Sequence, residues 1–278
     1  MNISLIRDYG RCNLNSEKLF DLHGKTVVIT GGAGYLGSAM SEALAAYGAD
    51  LFILGHNLEK NKEKADTLKT CFGLPICESY PFDISDTDQI RNTFARIEEK
   101  TGRIDVLINN AYYLNAVKPF EDYTADEWNQ GMEGTLNGTV KVTQEAIRYM
   151  LRQKSGNIIN IASMYGMVSP NMSIYADSGE NSPANYGIGK AGIIQLTKYL
   201  ACVYGEKGIR SNAISPGPFP NKEVQRMEWF IRNLQEKVPM KRIGDPEDLK
   251  GAIIFLASDA SRYVNGQNIA VDGGWTAW

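Results

Sequence analysis

Tyr186 and Lys190 stand four positions apart, a spacing that suits acid–base chemistry. On a helix, residues four apart lie on one face, so the ammonium would stand beside the phenol. A free tyrosine has a pKa of about 10, and a neighbouring positive charge favours the phenolate and lowers that value towards neutrality. A general acid or base works best when its pKa approaches the working pH. The pair is therefore a candidate catalytic site, although the same spacing is common by chance.

A glycine-rich turn lies upstream, between an apolar run and an amphipathic one: Thr30-Gly31-Gly32-Ala33-Gly34-Tyr35-Leu36-Gly37. Glycine permits a tight turn and lets the backbone approach a pyrophosphate, and the helix that follows offers free N–H groups. In this context the turn predicts a dinucleotide site. The alternative is a turn that only packs a helix on a strand. The predicted cofactor contacts here are Gly31, Gly34, Tyr35, Leu36 and Gly37.

The end of the second apolar run would face the adenosine of the dinucleotide. A carboxylate there would bond the ribose hydroxyls of NAD, but Gly55, His56 and Asn57 carry none. No arginine is present to grip the 2′-phosphate of NADP. His56, Asn57 and Lys60 could assist, and a plain surface loop explains them equally well. We expect NAD or NADP as the cofactor, with a slight preference for NADP.

Asp83 follows the third apolar run, with Ile84 next to it. We expect this pair at the adenine of the cofactor. As the alternative, Asp83 only caps a helix together with Ser85.

Taken in order along the chain, these motifs resemble the short-chain dehydrogenase/reductase family. The likeness runs from about Leu22 to the C-terminus, and the opening segment 19–25 resembles the polyol and gluconate dehydrogenase branch. The residues that carry the likeness are Thr30 to Gly37, Asp83, Asn109-Asn110-Ala111, Ser163, Tyr186 with Lys190, Pro216-Gly217 and Asp272-Gly273-Gly274.

The resemblance implies an oxidoreductase whose nicotinamide cofactor supplies the hydride chemistry, while the protein supplies orientation and electrostatics. It makes Tyr186 the proton donor or acceptor. It gives Lys190 two tasks, tuning Tyr186 and holding the nicotinamide ribose, and it places Ser163 on the substrate oxygen. The further cofactor contacts that it implies are Asn110, Ala111, Pro216 and Gly217.

Three positions depart from the family pattern. Tyr35 stands where shorter members carry glycine, and the resulting glycine spacing resembles that of the sugar-nucleotide branch. Thr135 stands where the family has an asparagine that supports a water linked to the lysine, and Asn137 falls on a different helix face. We expect a proton relay that is rebuilt through Thr135 or is weaker. Tyr112 stands where the family normally has glycine, and its bulk is expected near the nicotinamide or at the entrance of the substrate pocket.

Two further segments near the expected site stand out: one is longer than the family usually has, and the other contains several aromatic residues. The stretch from about Ser169 to Ala184 reads as an inserted polar loop, expected either to contact a polyhydroxylated substrate or to form a surface or subunit contact. Residues 218–237 are expected to form a lid, or alternatively a helix that packs its aromatics on the core. The Asp272-Gly273-Gly274 turn resembles a region at subunit contacts in relatives, so a homotetramer is expected.

Most of seven candidate strands are apolar along their length, which is typical of strands buried on both faces of a parallel sheet. Helix-like stretches separate them, with a capping-box pattern at Thr124 and Glu127 and an N-cap at Asp245 before Pro246. We predict an α/β, doubly wound fold, a single domain over 21–278 and an extension over 1–20. The predicted strands are Lys25–Thr30, Asp50–Leu54, Ile76–Pro81, Asp105–Asn109, Asn157–Ala162, Arg210–Ile214 and Asn268–Val271.

Composition narrows the class of protein. The net charge of -3 and the lack of basic clusters argue against a nucleic-acid surface. Four cysteines without a CxxC pair and two histidines argue against a metal site. The first 20 residues lack the apolar core of a signal peptide, and no run is long enough to span a membrane. We expect a soluble cytoplasmic protein that binds a small-molecule substrate.

The leading hypothesis is an NAD(P)-dependent dehydrogenase or reductase that interconverts a secondary alcohol and a ketone on a small polar substrate, such as a sugar acid, a polyol or a sugar derivative. Two alternatives stay open. The missing asparagine allows a dinucleotide-binding regulator without turnover, and the glycine spacing allows a sugar-modifying epimerase or dehydratase.

Overall fold

The computed structural model describes residues 18–114, 117–175, 178 and 181–278. In that part of the chain, seven strands form one sheet: β1 (Thr26–Thr30), β2 (Asp50–Gly55), β3 (Cys77–Pro81), β4 (Val106–Asn109), β5 (Gly156–Ile161), β6 (Ile209–Pro216) and β7 (Asn268–Val271). The α-helices there are α1 (Tyr35–Ala46), α2 (Leu58–Phe72), α3 (Thr87–Thr101), α4 (Ala125–Met132), α5 (Gly138–Gln153), α6 (Ala184–Tyr204), α7 (Glu228–Lys237) and α8 (Lys250–Ala257).

The sheet has the order β3-β2-β1-β4-β5-β6-β7, and every neighbouring pair is parallel. The chain builds outward from β1 to β3 and then returns to β4 on the other side of β1. The strand order therefore reverses between β1 and β4, and ligands of such sheets bind in the crevice at the carboxyl ends of these strands. Thr30 and Asn109 end β1 and β4 at this crevice.

The inner strands carry apolar side chains on both faces because helices cover both faces. In β1, Val27 and Ile29 point into one core layer with α1 and α8, while Val28 points into the other layer with α3 and α5. Successive side chains of a strand alternate between faces, so a continuous apolar run is what a doubly covered strand requires. The predicted doubly wound fold is confirmed.

The seven predicted strands are all present, with small differences at their ends. The largest difference is in β6, which runs to Pro216 because Pro216 pairs with Val271 of β7. The N–H group of Gly217 then donates to the Val271 carbonyl at 2.9 Å. This pairing brings the carboxyl end of β6 to the crevice, beside the end of β5.

Both predicted helix starts are confirmed. The Thr124 hydroxyl accepts from the Glu127 N–H group at 3.2 Å, and the Glu127 carboxylate accepts from the Thr124 N–H group at 2.9 Å, which forms the capping box of α4. The Asp245 carboxylate accepts from the Glu247 N–H group at 2.9 Å. After Asp245 the chain first forms a 3₁₀ helix, Pro246–Leu249, and α8 begins at Lys250.

The expected extension lies mostly outside the described residues, which begin at position 18. From Leu19 onwards the chain is attached to the fold, since the Leu19 carbonyl accepts from the Ala260 N–H group at 3.0 Å. Leu22 is fully buried in the core layer that contains α1. The domain boundary at position 20 stays a prediction.

Candidate active site

The glycine turn has the geometry that a phosphate cradle needs. Gly31 has a φ of +65°, in the left-handed region that favours glycine. A Cβ atom on Gly37 would lie 2.1 Å from the Gly31 carbonyl oxygen, so no larger residue fits there. The first turn of α1 carries no acidic side chain, and Gly34 offers no side-chain cap, which leaves its N–H groups for a bound anion. The turn therefore fits the pyrophosphate of a dinucleotide.

The end of β4 is fastened to this turn. The Asn110 side chain donates from Nδ2 to the carbonyl oxygens of Thr30 and Gly31, each at 3.0 Å. The Thr30 hydroxyl accepts from the N–H groups of Asn110 and Ala111, each at 3.0 Å. The structure thus brings two segments together that lie far apart in sequence, as the fold class requires at the reversal of strand order.

After the ends of β2 and β3, where the adenosine is expected, His56 Nε2 lies 3.8 Å from Asp83 Oδ1. Asn57 uses its side chain to cap α2, accepting from the Lys60 N–H group at 3.0 Å. No carboxylate stands at Gly55, whose carbonyl accepts instead from Asn61 Nδ2 at 2.9 Å. The residues are grouped at the ends of β2 and β3 as predicted.

Asp83 and Ile84 also have structural tasks here. Asp83 Oδ1 accepts from the Ser85 N–H group at 2.8 Å and from the Ser85 hydroxyl at 2.7 Å in a local turn. The capping alternative is wrong, because Asp86 and not Asp83 is the N-cap of α3. Burial raises the pKa of Asp83, but these hydrogen bonds outweigh burial and hold the pKa below its usual value. Ile84 is buried against α5, where a Cβ on Gly138 would lie 2.7 Å from its Cδ1 atom.

Ser163, Tyr186 and Lys190 meet in one cavity of about 110 Å³ at the carboxyl end of the sheet. Ser163 follows β5, and the other two lie on α6. Lys190 donates from Nζ to the Ile161 carbonyl at 2.7 Å, which ties α6 to the end of β5. The other side chains and backbone segments that line the cavity are Leu36, Asn110, Tyr112, Ile161, Ala162, Pro216, Gly217 and Phe219.

The electrostatics of this cavity differ from the expectation. Burial lowers the pKa of Lys190 to about 7. Burial also raises the pKa of Tyr186, and the nearby Tyr112 adds to that rise, while a hydrogen bond with Ser163 opposes it. The expected fall of the Tyr186 pKa towards neutrality is therefore wrong for this arrangement, in which burial dominates. Taking a phenolate out of water costs free energy, and burial also weakens the hold of Lys190 on its own proton.

Tyr112 enters the site as an aromatic cover. Its ring centroid lies 5.0 Å from Lys190 Nζ and 5.7 Å from the centroid of the Tyr186 ring. The sequence indicates only bulk in this region, and the structure shows which groups that bulk contacts. Phe219, from the segment 218–237 expected to form a lid, and Ile161 also line the site. The carbonyl of Ile161 has no sequence signal, because it is a backbone atom.

Thr135 lies in a π-helical turn, Glu133–Asn137, between α4 and α5. It is fully buried against α6, since a Cβ on Gly189 would lie 2.6 Å from Thr135 Cγ2. Its hydroxyl has no hydrogen-bond partner in the described part of the chain. Asn137, in contrast, is exposed. Of the two candidates for the usual asparagine, Thr135 is the one that faces the helix of Lys190.

The inserted loop and the expected lid are in contact with each other. Of the loop, residues 176, 177, 179 and 180 lie outside the described residues. Ile174 and Tyr175 are buried beside Phe230 of α7, and Asn233 donates from Nδ2 to the Ile174 carbonyl at 3.0 Å. The helical alternative thus describes 228–237, whereas a lid motion of 218–237 stays a prediction. Gln225, ahead of α7, donates to the Tyr35 hydroxyl at 3.0 Å.

Comparison with known proteins shows the family. Residues 32–276 match the family model described as enoyl-(acyl carrier protein) reductase. The chain is 35% identical, over 91% of its length and 98% of the relative, to a 3-oxoacyl-[acyl-carrier-protein] reductase of Thermotoga maritima. The chain belongs to the short-chain dehydrogenase/reductase family. This confirms the resemblance drawn from the motifs, and it makes the chain an NAD(P)-dependent oxidoreductase.

Two solved structures of the family are similar along nearly the whole chain. A gluconate 5-dehydrogenase from Burkholderia cenocepacia, in complex with NADP and tartrate, is 31% identical with a TM-score of 0.83, covering 94% of this chain and 98% of that one. A short chain dehydrogenase from Leptospira borgpetersenii with bound NAD⁺ is 36% identical with a TM-score of 0.79, covering 92% and 94%. NAD or NADP is thus supported as the cofactor of this short-chain dehydrogenase/reductase.

Neither a metal site nor a membrane-spanning helix is found among the described residues. No group of three or more His, Cys, Asp or Glu side chains is placed to hold a metal ion. No helix in the described ranges has the length and apolar character to cross a bilayer.

Proposed function

We propose that this enzyme interconverts a secondary alcohol and a ketone on a small polyhydroxylated substrate, such as a sugar acid or a polyol. The observation that carries the proposal is the meeting of Ser163, Tyr186 and Lys190 in one cavity beside the glycine turn. The similarity to a gluconate 5-dehydrogenase that was solved with NADP and tartrate supports the substrate class.

The three polar side chains take separate roles in this proposal. Tyr186 exchanges a proton with the substrate oxygen, Ser163 orients that oxygen, and Lys190 holds the nicotinamide ribose. A bound nicotinamide supplies the hydride chemistry. Because burial raises the pKa of Tyr186, the phenol is protonated near neutral pH, which is the form that a ketone reduction needs. In the oxidising direction the same side chain has to be the phenolate, which accepts the proton of the alcohol, so oxidation is favoured as pH rises.

The cofactor-binding residues are proposed on the same grounds. Gly31, Gly34, Tyr35, Leu36 and Gly37 hold the pyrophosphate with the N-terminus of α1. A groove of about 700 Å³ extends from Gly34 and Tyr35 to Lys60. The residues proposed for the remaining contacts are His56, Asn57, Asp83, Ile84, Asn110, Ala111, Pro216 and Gly217, with Tyr186 and Lys190 at the nicotinamide.

We propose NADP as the preferred cofactor. Lys60 lines the groove beside the glycine turn, and His56 lies at the end of β2, where the adenosine ribose of a dinucleotide is read. Fluorescence titration with NADPH and NADH tests this: a lower Kd for NADPH is expected, and a lower Kd for NADH would contradict it.

An absorbance assay at the reduced-nicotinamide band tests the reaction over a panel of sugar acids, polyols and simple secondary alcohols. Net formation or loss of NAD(P)H with the sugar acids or polyols is the expected result. Tight cofactor binding without turnover on any substrate would instead indicate a regulator. A changed product without net change in the cofactor would indicate an epimerase or a dehydratase.

We propose a homotetramer that works in the cytoplasm. Large side chains in the C-terminal part of the described chain are exposed, among them Met240, Tyr263 and Trp278. Surfaces of this kind favour association with further copies. Cys71, Cys77 and Cys202 are free thiols, which suits a reducing compartment. Light scattering after size-exclusion chromatography measures the mass, and a mass of one chain would contradict the assembly; imaging of a fluorescent fusion tests the compartment.

A further inference from the structure

The aromatic ring of Tyr112 occupies the space in front of Lys190. Its centroid is 5.0 Å from Lys190 Nζ, within the range of a cation–π contact. The backbone on both sides is fastened, because the Ala111 N–H group donates to Thr30 Oγ1 at 3.0 Å and the Tyr113 N–H group to the Gly134 carbonyl at 3.3 Å. The position of the ring is therefore set by the fold, while its side-chain torsions can still change.

Lys190 has few other stabilising partners. Only 2% of its surface is exposed, and among the described residues it forms no ion pair with a carboxylate. The Ile161 carbonyl takes one hydrogen bond from Nζ, and the rings of Tyr112 and Tyr186 lie 5.0 and 5.7 Å away. The Tyr112 ring thus replaces water as the neighbour of a buried cation.

The cavity in front of Lys190 is also small. Its volume is about 110 Å³, whereas sites for small molecules start at roughly 300 Å³. Among its lining side chains, Tyr112 has half of its surface exposed, in contrast to the buried Ser163 and Lys190. Tyr112 can therefore turn outwards without uncovering the core.

We propose that the ring of Tyr112 covers the ammonium of Lys190 in the free enzyme and is displaced when the nicotinamide ribose binds there. The ring thus competes with the nicotinamide end of the dinucleotide. This rests on the role of Lys190 in the proposed function. Tyr112 then lowers the affinity for the nicotinamide end of NAD(P), while the adenosine end binds independently of it.

The experiment compares Tyr112→Gly, Tyr112→Ala and Tyr112→Phe with the wild-type chain. The Kd for NADPH is measured by fluorescence titration, and the Kd for ADP by calorimetry, since ADP has the adenosine and pyrophosphate but no nicotinamide. The Gly and Ala variants should bind NADPH about 3-fold to 10-fold more tightly, the range expected for the loss of one cation–π contact. Their Kd for ADP should stay at the wild-type value, and the Phe variant, which keeps the ring, should bind NADPH like the wild type.

Three results would overturn the proposal: unchanged or weaker NADPH binding in both small variants, an equal gain for ADP, or an equal gain in the Phe variant. Thermal melting shows which variants are folded, and either small variant alone suffices. A further variant, Lys190→Met, distinguishes a failure of the proposal on Tyr112 from a failure of the proposed function. If Lys190→Met leaves the NADPH affinity unchanged, the role of Lys190 itself is wrong; if that variant binds weakly while Tyr112→Gly matches the wild type, only the proposal on Tyr112 fails.

Discussion

The ammonium of Lys190 donates a hydrogen bond of 2.7 Å to the main-chain carbonyl of Ile161, the last residue of β5. Ser163 follows two residues later, so this contact joins α6 to the segment that carries the serine. Because the acceptor is a backbone oxygen, a substitution of the Ile161 side chain leaves it in place. The contact also explains how a cation with almost no exposed surface is kept beside the phenol of Tyr186.

Replacing Tyr186 by phenylalanine should abolish most turnover. The variant removes the proton that is exchanged with the substrate and keeps the ring, so kcat should fall by roughly 10²-fold to 10⁴-fold. Cofactor binding should be nearly intact, because phenylalanine keeps the ring beside the nicotinamide and leaves the pyrophosphate contacts unchanged. Steady-state kinetics and NADPH titration measure the two effects, and wild-type turnover in the variant would defeat the catalytic assignment.

Lys190 should make the stability of the fold depend on pH. Its pKa is about 7 in the folded chain, against about 10.4 in an unfolded one, so between these values the unfolded chain binds more protons. The free energy of unfolding should therefore rise as pH increases from 7 towards 10, by at most about 1.4 kcal/mol per pH unit. Urea unfolding of the wild type and of Lys190→Met, at several pH values, isolates this contribution. Equal pH profiles of the two proteins would contradict it.

Thr30 should couple the glycine turn to the end of β4. Thr30→Val keeps the shape of the side chain but leaves the N–H groups of Asn110 and Ala111 without their acceptor. Each buried donor that loses its partner costs about 1–3 kcal/mol, and the loosened turn should raise the KM for the dinucleotide. Thr30→Ser retains the hydroxyl and is the matched control. Chemical unfolding and cofactor kinetics should separate the two variants; identical behaviour would show that the hydroxyl is unimportant.

A carboxylate at the end of β2 should shift the cofactor preference from NADP to NAD. In Gly55→Asp, the new side chain repels the 2′-phosphate of NADP and can bond the ribose hydroxyls of NAD. A Cβ there meets only the Asn61 side-chain amide, at 3.1 Å, so a small shift accommodates it. The ratio of kcat/KM for NADP over NAD should fall by about 10-fold, a change of about 1.4 kcal/mol. Gly55→Asn, of equal size but uncharged, should change the ratio much less.

Thr135 should affect stability and activity in opposite directions. Its buried hydroxyl has no partner among the described residues, so Thr135→Val should be neutral or slightly stabilising in thermal unfolding. If the hydroxyl supports the proton relay through Lys190, the same variant should lose about 10-fold or more in kcat. Thr135→Ser keeps the hydroxyl and should retain activity. A valine variant with wild-type kcat would exclude Thr135 from the relay.

The sequence by itself determined the sheet and indicated the candidate reacting groups. Strands buried on both faces leave continuous apolar runs, and a glycine turn of this spacing leaves a local signature between a strand and a helix. The capping box at Thr124 and Glu127 is equally local. The spacing of Tyr186 and Lys190 follows from the helix repeat, so these residues were recognisable before their neighbours in space were known.

Only the tertiary structure decided how the site is arranged. The Ile161 carbonyl, the ring of Tyr112 over Lys190 and the burial of Thr135 rather than Asn137 all join segments that are distant in sequence. The pKa of Tyr186 is governed mainly by burial, and spacing along a helix carries no information about burial. Local patterns record the chain's own repeat, whereas desolvation and backbone acceptors exist only after distant segments have packed together.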